Sequence, residues 1–257
     1  GDLDSARDIW HRGCKIHLKN KPTIHWYWAQ FEERHAGKPP SKAKAPATPP
    51  KDKDAGRPAS AMHIMTELAG RLPKNLTVAI RRIDFLRRSG ATTKDVSSAF
   101  ESAIEHFRKN PVPSAVSIMT SKYARYLHKV ACNTDKAISV LQEAIDRNQR
   151  NEAFYRQLID IAYQESPVNI ERFCSLASIA TEASLLSPET KISICKRKLQ
   201  FLEEFDTDVL RLQEAYKEYE DMIRALKSSK ELIGNSQMLA SIISSVRQQQ
   251  YQEQQDG

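Results

Sequence analysis

The chain has 257 residues, enough for one or two domains with a substantial core. Charged residues make up 28% and aromatics 7%, and no window of membrane-spanning length is uninterruptedly apolar, which argues against a helical membrane span. Eight glycines are few for a turn-rich sheet protein or a glycine-rich phosphate loop. The net charge is +7, but residues 37–60 hold Lys38, Lys42, Lys44, Lys51, Lys53 and Arg57 against Asp52 and Asp54, a balance of +4. The rest is left with +3, a weak charge for a nucleic-acid binder read by composition alone.

Apolar residues recur at intervals of three and four along almost the whole chain, and nowhere alternate for long with polar ones. The pattern predicts helices at 2–18, 22–36, 60–70, 74–89, 93–109, 112–130, 134–148, 151–164, 168–185, 188–204, 207–228 and 235–250. Stops fall at Gly37, Gly90, Asn133 and Glu165-Ser166-Pro167. Ser187-Pro188-Glu189 reads as a cap, a proline at the first helical position and an acid in the first turn. Asn133-Thr134-Asp135 and Asp206-Thr207-Asp208 offer further caps. Residues 37–60 carry six of the twelve prolines and are expected to be disordered and dispensable for folding. The polar end from Gln248 to Gly257 is expected to fray.

Short helices in succession without a sheet predict an all-α fold, an antiparallel helix-pair solenoid of tetratricopeptide-like type. Small residues suited to close helix approach, Ala99, Ala137 and Ala177, stand 38 and 40 positions apart, longer than a 34-residue tetratricopeptide period. The expected organisation is repeat helices over 1–36, the loop 37–60, a repeat array over 61–230, and a C-terminal helix with a polar tail over 231–257. Residues 2–18 read as the second helix of a repeat, so a longer array or an outside helix is expected to cover their apolar stripe.

No catalytic constellation stands out. Ser193-Ile194-Cys195-Lys196 fits a short S-x-x-K pattern and reads as a helix face. His11, Cys14 and His17 are spaced by three but drift around a helix and lack a fourth metal ligand. Asn75-Leu76-Thr77 matches a glycosylation sequon, read here as chance. Cys14, Cys132, Cys174 and Cys195 are far apart, and Gly1-Asp2-Leu3-Asp4 opens no secretory leader, so a reducing compartment is expected. No cofactor or metal is expected. Trp10, Trp26 and Trp28 read as packing residues.

Two basic patches and one apolar stripe are the interaction candidates. Arg81, Arg82, Arg87 and Arg88 share one helix, and Lys196, Arg197 and Lys198 another; each reads as a solvated face, with a phosphate or acidic-partner contact as the alternative. Val209, Leu212, Tyr216, Tyr219, Ile223 and Leu226 are spaced 3, 4, 3, 4 and 3, a heptad stripe along a helix of roughly 30 Å. Met238, Leu239, Ile242, Ile243 and Val246 form a second stripe. Both either close the solenoid or meet a partner, and a homodimer joined by these C-terminal helices is the expectation.

The residues also carry a resemblance. Ala6-Arg7-Asp8-Ile9-Trp10-His11-Arg12 resembles the second helix of a half-a-tetratricopeptide (HAT) repeat, A-R-x-[IV]-[YFW]-x-R, and Trp28-Ala29-Gln30-Phe31-Glu32-Glu33 resembles the first helix of the next. Ile16-His17-Leu18, Lys21-Pro22, Ile24-His25, and Arg197 to Phe205 followed by Asp208-Val209 are similar to splicing members of that family. His25 and Leu86 depart from the usual tryptophan and glutamate of the repeat. The resemblance implies a non-enzymatic scaffold in the nucleus, working with U1 small nuclear ribonucleoprotein subunits in 5′ splice-site recognition. It also implies self-association or pairing with a related HAT protein, with RNA met only indirectly and no membrane partner. A HAT scaffold of mRNA 3′-end cleavage and a direct RNA-binding helical repeat remain alternatives.

Overall fold

The computed structural model describes residues 3–35, 60–112 and 114–229, and among them every regular element is helical. In chain order these are α1 (Leu3–Arg12), a π-helical turn (Gly13–His17), α2 (Pro22–Arg34), α3 (Ala61–Arg71), α4 (Leu76–Arg88), α5 (Thr93–Lys109), α6 (Ala115–Lys129), α7 (Thr134–Arg147), α8 (Glu152–Tyr163), α9 (Ile170–Glu182) and α10 (Pro188–Phe205). A last helix, α11, is described over 209–229. The loop and the C-terminal helix predicted over 37–60 and 235–250 lie outside the described residues, apart from Ser60.

Local chemistry sets most boundaries. The side chains of Ser60, Asn75, Asn133, Asn169 and Ser187 each accept a hydrogen bond from the backbone N–H three residues on, and Thr92 and Asp95 form a reciprocal capping box. Asp208 caps α11 by accepting from the N–H of Leu210 at 3.0 Å. Such caps contribute about 1 kcal/mol each. Gly90 ends the α4 turn at φ +81, a conformation that costs a side-chain-bearing residue.

One element departs from the predicted continuous helix over 2–18. After Arg12 the backbone widens into a π turn, with Leu18 N–H donating to the Gly13 carbonyl at 2.8 Å. The extra residue turns Cys14 into the core beside Trp28 and leaves Ile16 outside.

The chain forms two compact units, Gly1–Tyr123 and Ala124–Gly257. In the first, α2 packs on α3, α3 on α4 and α4 on α5; in the second, α7 packs on α8, α8 on α9 and α9 on α10, with α8 also reaching α10. Packing on sequence neighbours through short turns is the organisation of a helix-pair repeat protein, the all-α class expected from the periodicity. The first core gathers Cys14, Trp28, Ile64, Met65, Leu68 and Phe85. In the second, Phe173 and Phe201 stack with centroids 3.8 Å apart, and Tyr163 meets both edge-on.

Candidate interaction surfaces

Helix α11 is bound to its own chain along one face. Leu212, Ala215 and Tyr219 join Leu199 and Leu202 of α10, with Ile170 and Cys174 of α9 beside them. Polar groups hold the same helix in register. Lys198 pairs with Glu218 at 2.7 Å, and Arg211 reaches Glu171 at 2.7 Å and Asp206 at 3.3 Å. The Tyr216 hydroxyl donates to Glu203. One face of the stripe-bearing helix thus has intramolecular neighbours in α10 and α9.

This docking divides the heptad stripe. Leu212 and Tyr219 face the core, Ile223 and Leu226 are half-buried, and Val209 and Tyr216 are exposed. An α-helix advances 100° per residue, so a strict seven-residue stripe drifts by about 20° per heptad, and its members need not share one neighbour. Ala215 is the buried centre of the contact, at 3% exposure, and Leu210, at 71%, is among the most exposed of the large apolar residues. Neither belongs to the stripe. The signal for Ala215 was in the repeat: Ala177 and Ala215 are 38 apart, continuing the series that runs through Ala137. Ala137 and Ala177 are buried like Ala215, whereas Ala99 is half-buried, so the small-residue spacing marks the helix contacts from α7 onward. Met238, Leu239, Ile242, Ile243 and Val246 lie outside the described residues.

The arginines of α4 are largely used internally. Arg81 lies over the Trp26 ring at 4.3 Å, and Arg82 donates to Thr66 at 3.4 Å. Arg88 holds Glu33 of α2 through two bonds of 2.7 and 3.2 Å and stacks on Phe85. Arg87 is exposed. On α10, Arg197 pairs with Asp160 at 2.7 Å and covers the Tyr163 ring, Lys198 holds Glu218, and Lys196 is exposed. Sequence spacing identified these faces but could not show that neighbouring helices present the matching carboxylates and rings.

Of the three residues with loose metal spacing, His11 meets Trp28 edge-on at 6.2 Å, Cys14 is buried in the core and His17 is exposed. Among the described residues no three such ligands converge. Trp28 is buried, and Trp10 and Trp26 pack against the same cluster.

The cysteines differ sharply in environment. Burial, reinforced by Glu218, pushes the Cys195 thiol up to about 12, and burial pushes Cys14 up to about 11 against the pull of Arg71. Burial also raises Cys174, whereas Cys132 is exposed. Because the thiolate is the reacting form, a disulfide reagent at neutral pH is expected to modify Cys132 rapidly and the other three only on unfolding. Rapid modification of Cys132→Ser would contradict that order.

No family model matches the chain. It is 28% identical over 229 residues to pre-mRNA-processing factor 39 of Homo sapiens, covering 89% of this chain and 30% of that protein. The Xenopus laevis protein of the same name is 27% identical over 222 residues, covering 86% of this chain and 31% of its own length. The Danio rerio one is 26% identical over 227 residues, or 88% and 27%. The chain spans about a third of the length of the curated relatives it matches. The resemblance read from the sequence is therefore a likeness to pre-mRNA-processing factor 39, extending over nearly all of the chain.

Proposed function

We propose that the chain is a non-catalytic HAT-repeat scaffold of pre-mRNA splicing, nuclear, working with U1 small nuclear ribonucleoprotein subunits at the 5′ splice site. It pairs with a second copy, or with a related HAT protein, through its C-terminal helices. The relatives' names support the process. The observation that carries the pairing is α11, where Val209, Leu210 and Tyr216 are 43 to 71% exposed on a helix whose other face is fixed by α10, together with Phe205 at the end of α10, 41% exposed. A rigid helix offering large apolar side chains suits an isologous interface, where each residue is buried twice.

The docking chooses the test. Tyr219 packs on its own core, so truncating it would confound pairing with folding. Val209→Asp with Leu210→Asp alters only exposed positions. Sedimentation at micromolar concentration is expected to give a dimer for the wild type and a monomer of unchanged melting temperature for the double variant, with at least about 3 kcal/mol lost across two symmetric patches. A monomeric wild type would overturn the pairing. Co-purification of the cleavage machinery from nuclear extract, in place of U1 subunits, would favour the 3′-end scaffold.

A further inference from the structure

The weak net charge of the body conceals an uneven distribution within the first unit. Helices joined by short turns reverse direction, so alternate turns come to one edge. The turn between α1 and α2, the turn between α3 and α4, and the end of α5 are tied there by two hydrogen bonds. Arg71 Nη1 donates to the Lys19 carbonyl at 3.3 Å, and the His106 Nε2–H donates to the Pro73 carbonyl at 3.0 Å. Lys19, Lys21, Lys74, Arg108 and Lys109 stand exposed along this line. The carboxylates close to it are Glu67, held by Arg71, and Glu105, shared by Arg108 at 3.6 Å and Lys109 at 3.4 Å. Exposed pairs of the latter kind are weak and release their cations at little cost. The N-termini of α2 and α4 open on the same edge and add partial positive charge.

We infer that this edge binds the phosphodiester backbone of single-stranded RNA. Four of the five cations are lysines, point charges that take phosphate oxygens without the planar fork by which arginine selects carboxylates. Arg7, Arg81 and Arg88 of the unit are instead spent on its own carboxylates and rings. Cations carried by successive packed layers about 10 Å apart suit a pliable strand, which adjusts its phosphates to them as a stiff duplex does not. Binding through phosphates alone is independent of base sequence. The choice of RNA rests on the splicing reading above; the edge and its polyanion do not.

The test is binding of a labelled oligouridylate to the full chain across a salt series, by fluorescence anisotropy. The comparison is Lys19→Gln, Lys21→Gln, Lys74→Gln and Lys109→Gln combined. Each phosphate neutralised on a single strand adds about −0.7 to the slope of log affinity against log salt, so the combined variant is expected to lose about 3 of that slope and at least about tenfold in affinity. Melting temperature and sedimentation are expected to match the wild type, which separates this result from the pairing test. Arg87→Gln, on the other end of α4, is expected to bind as the wild type does. The inference is overturned by a wild type that shows no salt-dependent binding, by a combined variant that binds equally well, or by a polyglutamate peptide that binds this edge where the oligouridylate does not.

Discussion

Truncating Phe201 to alanine is expected to lower the melting temperature of the chain by about 10–15 °C, from a loss of about 3–5 kcal/mol at a few degrees per kcal/mol. The side chain is fully buried. It stacks on Phe173 of α9 at 3.8 Å, meets Tyr163 of α8 at 5.3 Å and lies 5.1 Å from Phe205. Three successive helices therefore lean on one ring, and removing it leaves a cavity that a stack of rigid helices can only partly close. Phe205→Ala, at a position 41% exposed, is the control and is expected to shift the melting point far less. Calorimetry showing similar shifts for both would mean that the aromatic cluster is not the centre of the second unit.

The second large effect concerns a charge inside the first unit. Arg7 of α1 donates through Nε to Glu32 of α2 at 3.1 Å, with the Glu32 side chain only 4% exposed. Replacing Arg7 with methionine keeps the aliphatic body and strands the carboxylate, at an expected cost of about 3–5 kcal/mol. Adding Glu32→Leu to that variant removes the stranded charge and is expected to restore most of the loss, because a buried pair contributes little over apolar residues of similar size. Urea denaturation of the two variants separates the contributions. A double variant as unstable as Arg7→Met alone would show that packing, and not the unpaired charge, dominates this helix contact.

Much of the fold was legible because helices announce themselves locally. The cap at Ser187-Pro188, the cap at Asn133 and the stop at Gly90 are matters of three or four residues, and they stand where the pattern predicts. The π turn at Gly13–His17 was not legible, since no residue type encodes a five-residue hydrogen bond. The interaction surfaces were legible only in part. A helical wheel places Val209 and Leu212 on one stripe but cannot say that α10 takes Leu212 and leaves Val209 outside. The arginines of α4 looked like an outward patch because their partners, Glu33 and Trp26, lie on another helix far back in the chain. The basic edge was invisible for the converse reason. Lys19 and Lys21, Lys74, and Arg108 and Lys109 lie far apart in the sequence, and only the reversal of each helix brings them into line.

The close packing of α2 on α3 also bears on how this molecule tolerates change in chain length. The two helices are joined through residues 36–59, where neighbouring packed helices ordinarily need only a short connection. The entropy of joining two chain ends grows only as the logarithm of the number of residues between them, so each doubling of that number costs about 0.6 kcal/mol. Burial of a single leucine in the contact, about 2 kcal/mol, outweighs that. The α2–α3 contact, more than the length of the connection, sets how firmly these two helices hold together. Lengthening the connection between these helices is therefore expected to change stability by well under about 1 kcal/mol per few residues added, whereas severing it would make the contact bimolecular and forfeit the effective concentration that the chain supplies.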